Sequence, residues 1–231
     1  MKIVAAKKIL KANDQLAAEN RARFTSQHLY GVNLMGSPGC GKTTLLEGLF
    51  RQLAGRLAPA VIEGDIAGQI DAERMEKLGV PVVQINTDGM CHLDASLVAA
   101  ACESLDTRRA DMLWIENVGN LVCTAGFDLG EHLRVTVLSV AEGDDKLVKY
   151  PAIFQRSDAL VITKLDLLPH TNFDLERVRG DLQRLAPQAA VFPVSALKGD
   201  GLETLADWLV QRTKDEGRRT KDEGRRMKDE G

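Results

Sequence analysis

YGVNLMGSPGCGKTTLLEGLF, residues 30–50, decides the fold of this chain. It opens as an apolar strand, turns through a glycine-rich loop, and continues with Leu45, Leu46, Leu49, Phe50 and Leu53 at helical spacing. Inside it, Gly36 to Thr43 fits G-x-x-x-x-G-K-[ST] in full, between a strand and a helix. The glycines let backbone N–H groups turn inward around phosphates, and the helix N-terminus adds the positive end of its dipole. Lys42 is read as the cation on the β/γ-phosphates and Thr43 as a ligand of Mg²⁺. The nucleotide-contacting set is Gly36, Ser37, Gly39, Cys40, Gly41, Lys42, Thr43 and Thr44. Cys40 enters it simply as a small residue.

Outward from this stretch, short apolar runs alternate with segments of helical period. Strands are expected at 60–63, 81–85, 111–116, 134–140, 159–163 and 190–194, and helices near 68–78, 94–105, 174–186 and 201–212. Continuous apolar strands alternating with helices predict an α/β fold. Its sheet is mostly parallel and covered by helices on both faces, as in P-loop NTPases. Residues 1–24 read as a helical extension, with Ile3, Ile9, Leu10 and Leu16 as its apolar side, and 25–212 as the nucleotide domain. The tail repeats TKDEGRR at 213–219 and 220–226. Its seven-residue period has no apolar seam, so a coiled coil is excluded, and 213–231 reads as a disordered charged extension.

Of 231 residues, 44% are hydrophobic and 27% charged, which is ordinary for a globular domain. A net charge of −3 argues against a nucleic-acid or anionic-membrane partner. The sequence has no bilayer-length apolar run and no signal-peptide pattern, so a cytoplasmic location is expected. Reduced thiols follow, and the four cysteines are candidates for metal or core roles rather than disulfides. Cys102, in SLVAAACESL, reads as core.

Guanine is suggested by Thr163-Lys164-Leu165-Asp166 at the end of a strand. The Asp166 carboxylate can accept hydrogen bonds from guanine N1–H and its exocyclic amino group, and Lys164 would lie along the base. An ordinary strand-end turn is the alternative. Ser195-Ala196 would close the loop over the base. For hydrolysis, Glu116-Asn-Val-Gly119 follows a strand. Its carboxylate can orient Mg²⁺, and the Gly119 N–H can meet the γ-phosphate. Asp65 is a second candidate for Mg²⁺ or for positioning water. No catalytic Gln or Arg finger can be read off, so slow turnover is expected. The catalytic set is thus Lys42, Asp65, Glu116 and Gly119, and the Mg²⁺ set is Thr43, Asp65 and Glu116.

Cys91-His92 and Cys123 form a second constellation, of thiolate and imidazole donors suited to Zn²⁺, Ni²⁺ or Cu. Three protein donors leave a position open, for a labile ion or for a site shared across a dimer.

Taken together, NLMGSPGCGKTTLLE, VIEGDIAGQIDAERM, INTDGMCHLDA, IENVGNLVC, VAEGDDKLVKYP, VITKLDLL and FPVSALKGDGLE resemble the HypB-type hydrogenase nickel-incorporation GTPases over roughly residues 8–212. The resemblance implies a SIMIBI-like GTPase that binds GTP/GDP, Mg²⁺, Ni²⁺ and Zn²⁺ and dimerises with nucleotide. It also implies a HypA-type nickel metallochaperone and a [NiFe]-hydrogenase large-subunit precursor as partners. By that resemblance the metal ligands fall on Cys91, His92 and Cys123, and the Thr of TKLD is usual. Two departures stand out. No Cys or His precedes His28, so an N-terminal nickel motif or storage stretch is not expected. Thr124 also follows Cys123 where Pro is common. The rival readings are a urease-type nickel GTPase and a nucleotide-controlled metal-binding scaffold.

Overall fold

A computed structural model describes residues 5–65 and 70–229, with side chains described for 10–65 and 70–218. Helix α1 spans Ala5–Ser26, β1 Tyr30–Gly36 and α2 Lys42–Leu53. Next come β2 (Pro59–Asp65), α3 (Ile70–Lys77), β3 (Val82–Asn86), α4 (Ala95–Ser104) and β4 (Met112–Glu116). After β5 (Leu133–Ser139) the chain makes two short helices, α5 (Lys146–Lys149) and α6 (Pro151–Gln155). It ends with β6 (Ala159–Thr163), α7 (Leu175–Leu185), β7 (Ala190–Pro193) and α8 (Leu202–Asp229).

The strands form one seven-stranded sheet in the order β3-β2-β4-β1-β5-β6-β7, and every pairing is parallel. One face packs Val32, Leu34, Val61, Trp114, Val135 and Val161 under α2, α3 and α8. The opposite face is covered in two parts. Phe24 of α1 and Val98 and Ala101 of α4 lie over Ile62, Leu113 and Ile115. Ile153, Phe154, Val178 and Leu182 of α6 and α7 lie over Leu138, Leu160 and Ile162. Strand β1, buried along its whole length, sits between β4 and β5. The order of connection reverses there, and the crevice at the carboxyl ends of such strands is where ligands bind.

Two expectations are corrected. The buried stripe of α1 is Asn13, Ala17, Asn20 and Phe24, whereas Leu10 is exposed and Leu16 only half-buried. Ile3 and the side chain of Ile9 lie outside the described residues. A polar residue can face a core when its hydrogen bonds are met, and these two asparagines meet theirs on the neighbouring loop. Asn20 Nδ2 donates to the carbonyls of Ala95 (2.9 Å) and Leu129 (3.0 Å), and Asn13 Oδ1 accepts from the Ala95 N–H (2.9 Å). Helix α1 therefore packs on the sheet and fixes the start of α4. The other correction concerns the tail, which continues α8 through Asp229 instead of leaving the helix at residue 213. Its Lys, Glu and Arg are good helix formers. Gln211 also donates to Asp215 one turn on (2.9 Å), the i,i+4 support that an already nucleated helix can extend on.

Candidate functional site

The loop between β1 and α2 has the backbone its glycines predict. Gly39 (φ 71°) and Gly41 (φ 96°) adopt left-handed conformations, and Gly41 leads directly into α2. A Cβ on Gly36 would lie 2.7 Å from the Cys40 sulfur and 2.8 Å from the Val137 carbonyl, so the loop starts in close backbone contact. Cys40 is fully buried beneath it, and burial pushes its thiol pKa up to about 11. It is packing, not a nucleophile. Lys42, Thr43 and Thr44 line a cleft of ≈ 430 Å³ together with Glu63, Asp65, Arg74, Glu116 and Gly119. A larger hollow, ≈ 730 Å³, lies beside Arg56, Pro59, Pro81 and Asp111, at the amino ends of the strands and away from the phosphate loop.

Thr43 Oγ1 donates to Glu116 Oε1 over 2.9 Å, joining the helix start to the end of β4. Glu116 is buried and its Oε2 has no hydrogen-bond partner among the described residues. Burial raises its pKa to about 7, against the opposing pull of Lys42 and the Thr43 hydrogen bond. Glu63, which the sequence reading passed over, is its register partner on β2. Glu63 is also buried with an unpartnered Oε2, and burial followed by the Glu116 charge raises its pKa to about 8. Asp65 ends the same strand at the cleft. Arg74 of α3 was also missed. It makes paired contacts to Glu47 (2.9 and 2.8 Å) and single ones to Asp71 (3.0 Å) and Thr44 (3.0 Å).

At the far end of the loop, Thr163 Oγ1 donates to the Cys40 carbonyl (2.6 Å) and Lys164 Nζ to the Gly39 carbonyl (2.7 Å). Lys164 itself is left-handed (φ 57°), a costly conformation that such contacts hold in place. Asp166 is reached by the Ser195 hydroxyl at 2.6 Å, and that hydrogen bond lowers its pKa and keeps it ionised. Ser195 is buried; Ala196, half-buried, packs its carbonyl 3.5 Å from where a Cβ on Gly48 would stand. The two segments, 163–166 and 195–196, thus meet through the Asp166–Ser195 hydrogen bond.

The third group of residues sits beside Gly119. Asn120 donates its N–H to the Gly36 carbonyl (2.9 Å), and its Oδ1 accepts from the N–H groups of Val122 (2.7 Å) and Cys123 (3.0 Å). One residue, through its backbone N–H on one side and its side-chain oxygen on the other, thereby ties the phosphate loop to Cys123. Thr124, where Pro is common among the resembling proteins, is fully buried and donates to the Asn120 carbonyl at 2.6 Å. Asn117 ties the other side, with its Oδ1 accepting from Leu93 N (3.2 Å) and Val118 N (3.0 Å). Cys91 stands near Cys123 and is the main reason the Cys123 pKa is raised. The His92 ring stacks on Phe127 at 3.9 Å between centroids, with Nδ1 3.8 Å from the Cys91 sulfur. Burial lowers its pKa, which favours the neutral imidazole. Among the described residues, no three or more His, Cys, Asp or Glu side chains are grouped to hold a metal ion.

The CobW/HypB/UreG nucleotide-binding domain family matches residues 31–193, more than half of the chain. The hydrogenase maturation factor HypB of Escherichia coli strain K12 is 44% identical over 201 residues, covering 87% of this chain and 69% of that protein. The chain belongs to the HypB family. It is 49% identical over 201 residues to HypB of Azotobacter vinelandii, of whose length it spans 66%. Against the probable HypB of Methanocaldococcus jannaschii it is 42% identical, and 91% of this chain covers 95% of that one. The crystal structure of Helicobacter pylori HypB in complex with nickel is similar with a TM-score of 0.85 and 40% identity, covering 88% of this chain and 96% of that one. The fold expected from the sequence, a parallel P-loop α/β sheet, is the fold of this family. Among the described residues, no helix is long and apolar enough to cross a membrane.

Proposed function

We propose that this HypB-family chain binds GTP, hydrolyses it slowly, and uses the nucleotide to set the geometry of a nickel site at Cys91, His92 and Cys123. The carrying observation is the Asn120 link, which joins the Gly36 carbonyl to the Cys123 N–H through two hydrogen bonds of 2.9 and 3.0 Å. Anything that moves the loop around the γ-phosphate must also move Cys123. The relay is a physical connection through which the two sites would be coupled.

Thr43, Glu116 and Asp65 fit a Mg²⁺ ion, because they present oxygen donors and Glu116 keeps a buried oxygen unpartnered. The ion would neutralise charge on the β- and γ-phosphates. In this reading Lys42 holds those phosphates, the Gly119 N–H would meet the last of them, and Asp166 reads the guanine edge with Lys164, Ser195 and Ala196 around it.

Cys91 and Cys123 present two soft donors and His92 a neutral one, which suits Ni²⁺ or Zn²⁺ as cargo. One chain offers fewer than the four ligands a closed site wants, so a second copy in a nucleotide-dependent homodimer would complete the shell. Nickel would pass from a HypA-type metallochaperone to a [NiFe]-hydrogenase large-subunit precursor in the cytoplasm. The Helicobacter pylori relatives are named as hydrogenase/urease maturation factors, which makes a urease precursor the second reading.

Two measurements test this. Nickel affinity should differ between the GDP form and a form with a non-hydrolysable GTP analogue; equal affinities would remove the coupling. Single-turnover phosphate release should be slow but measurable, and its absence would leave a nucleotide-controlled scaffold.

A further inference from the structure

Glu63 has no part in the reading above, yet it occupies one of the most constrained positions in the cleft. In-register neighbours on parallel strands present their side chains to the same face, and Glu63 on β2 is paired with Glu116 on β4. Both carboxyls line the cleft with Lys42 and Thr43. Each is 3% exposed, and each keeps an Oε2 that no described residue satisfies. Leaving one buried carboxylate oxygen unpaired costs free energy; placing a second beside it adds like-charge repulsion. Two apolar side chains of similar volume would be better for the fold. A pair of buried acids on neighbouring strands therefore calls for a ligand, and hard oxygen donors alone select a hard divalent cation.

We infer that Glu63 is a third carboxylate of the divalent-cation site, positioning the ion's water shell alongside Glu116, Asp65 and Thr43. This rests on the reading of the cleft as a nucleotide·Mg²⁺ site and deepens it. With the added carboxylate the ion is held more tightly, and nucleotide retention depends on it more steeply, than Thr43, Glu116 and Asp65 alone would allow. Glu63 is a positioning residue: removing its charge weakens the ion without removing the phosphate loop.

The test uses the full chain, stripped of metal and loaded with a fluorescent GDP. Release of the nucleotide is followed against Mg²⁺ concentration, and Mn²⁺ binding is read in parallel by electron paramagnetic resonance. In Glu63→Gln the Mg²⁺ needed for half-maximal slowing should rise about 10–100-fold, the usual cost of losing an outer-shell partner. Release in excess chelator should stay as in the unsubstituted chain, and Mn²⁺ should bind more weakly. Glu63→Asp, which withdraws the same charge by one methylene, should shift the curve the same way by less. Both variants tracking the unsubstituted chain in Mg²⁺ and Mn²⁺ dependence, even with an altered melting temperature, overturns the inference and leaves Glu63 a purely structural acid. If the unsubstituted chain retains no nucleotide at any Mg²⁺ concentration, the nucleotide reading itself fails, and this inference falls with it.

Discussion

Gly119 packs against Pro38 so closely that a Cβ at residue 119 would stand 2.8 Å from the proline nitrogen and 2.9 Å from its Cα. Backbone, not a flexible side-chain end, is what such an atom would meet. The segment carrying Asn120 and Cys123 is therefore seated directly on the phosphate loop. Gly119→Ala should force the two apart at an overpacking cost of about 1–3 kcal/mol. Calorimetric titration is expected to show weakened binding of the GTP analogue and a smaller effect on GDP, whose missing γ-phosphate does not need that N–H. Equal losses for both nucleotides would mean that Gly119 acts only through folding.

Lys42 is buried at the first turn of α2 and lines the cleft. Lys42→Ala should reduce affinity for GTP and GDP by roughly 10–100-fold or more, from about 1.5–3 kcal/mol per hydrogen bond to a charged group. Thermal melting without nucleotide should move little, because truncating Lys42 also relieves the burial of a charge. Fluorescent-nucleotide titration checks the affinity.

Cys123→Ala tests whether the thiol pair serves the metal or the fold. Cys123 is only partly buried and its backbone stays capped by Asn120. Nucleotide affinity should thus be retained while nickel affinity falls by at least the roughly 10–100-fold that weaker, outer-shell losses already cost. Competition with a chromogenic chelator reads the metal. Loss of nucleotide binding along with nickel would point to misfolding.

The carboxylate of Asp166, oriented by Ser195 at 2.6 Å, gives a specificity prediction. Asp166→Asn replaces an acceptor-only group with one that donates, so two hydrogen bonds from guanine become one at best. GTP affinity should drop roughly 100-fold or more, while a base bearing a carbonyl in place of the guanine amino group, xanthine, should gain. Unchanged discrimination between GTP and XTP would return Thr163–Asp166 to an ordinary strand-end turn.

Local patterns carried most of the fold. Six apolar runs matched β2 to β7 within two residues at each end, because a doubly covered parallel strand has no choice but to be apolar throughout. Helices α5 and α6, four and five residues long, show no period to read. The site was legible where chemistry follows chain order, as in the phosphate loop. It was illegible where it depends on register. Glu63 looks like a polar interruption of VIEGD until β2 is paired with β4, and Asn120 is one more loop asparagine until its N–H meets Gly36. Asn13 and Asn20 misled in the opposite sense, since hydropathy assigns such residues to solvent and only their partners on the α4 side place them inside.

His132, which the sequence offered no role, sets a pH limit on stability. Its ring stacks on Tyr30 (5.4 Å between centroids); Nδ1 accepts from the Gly31 N–H at 3.0 Å, and Nε2 lies 3.0 Å from Thr25 Oγ1. Burial lowers its pKa, Glu216 of α8 pulls it up, and Arg21 of α1 pushes it down. An unfolded chain releases it to about 6.5. Below that value the unfolded state binds a proton that the folded state resists, so stability is whole above about 6.5 and declines as pH falls towards the lowered folded pKa. Urea midpoints of the nucleotide-free protein should therefore drop between about pH 7 and pH 5. In His132→Gln, which keeps an acceptor near Gly31 but cannot titrate, this part of the slope should vanish while stability at pH 8 falls modestly. An identical slope in both proteins would assign the acid sensitivity to groups other than this imidazole.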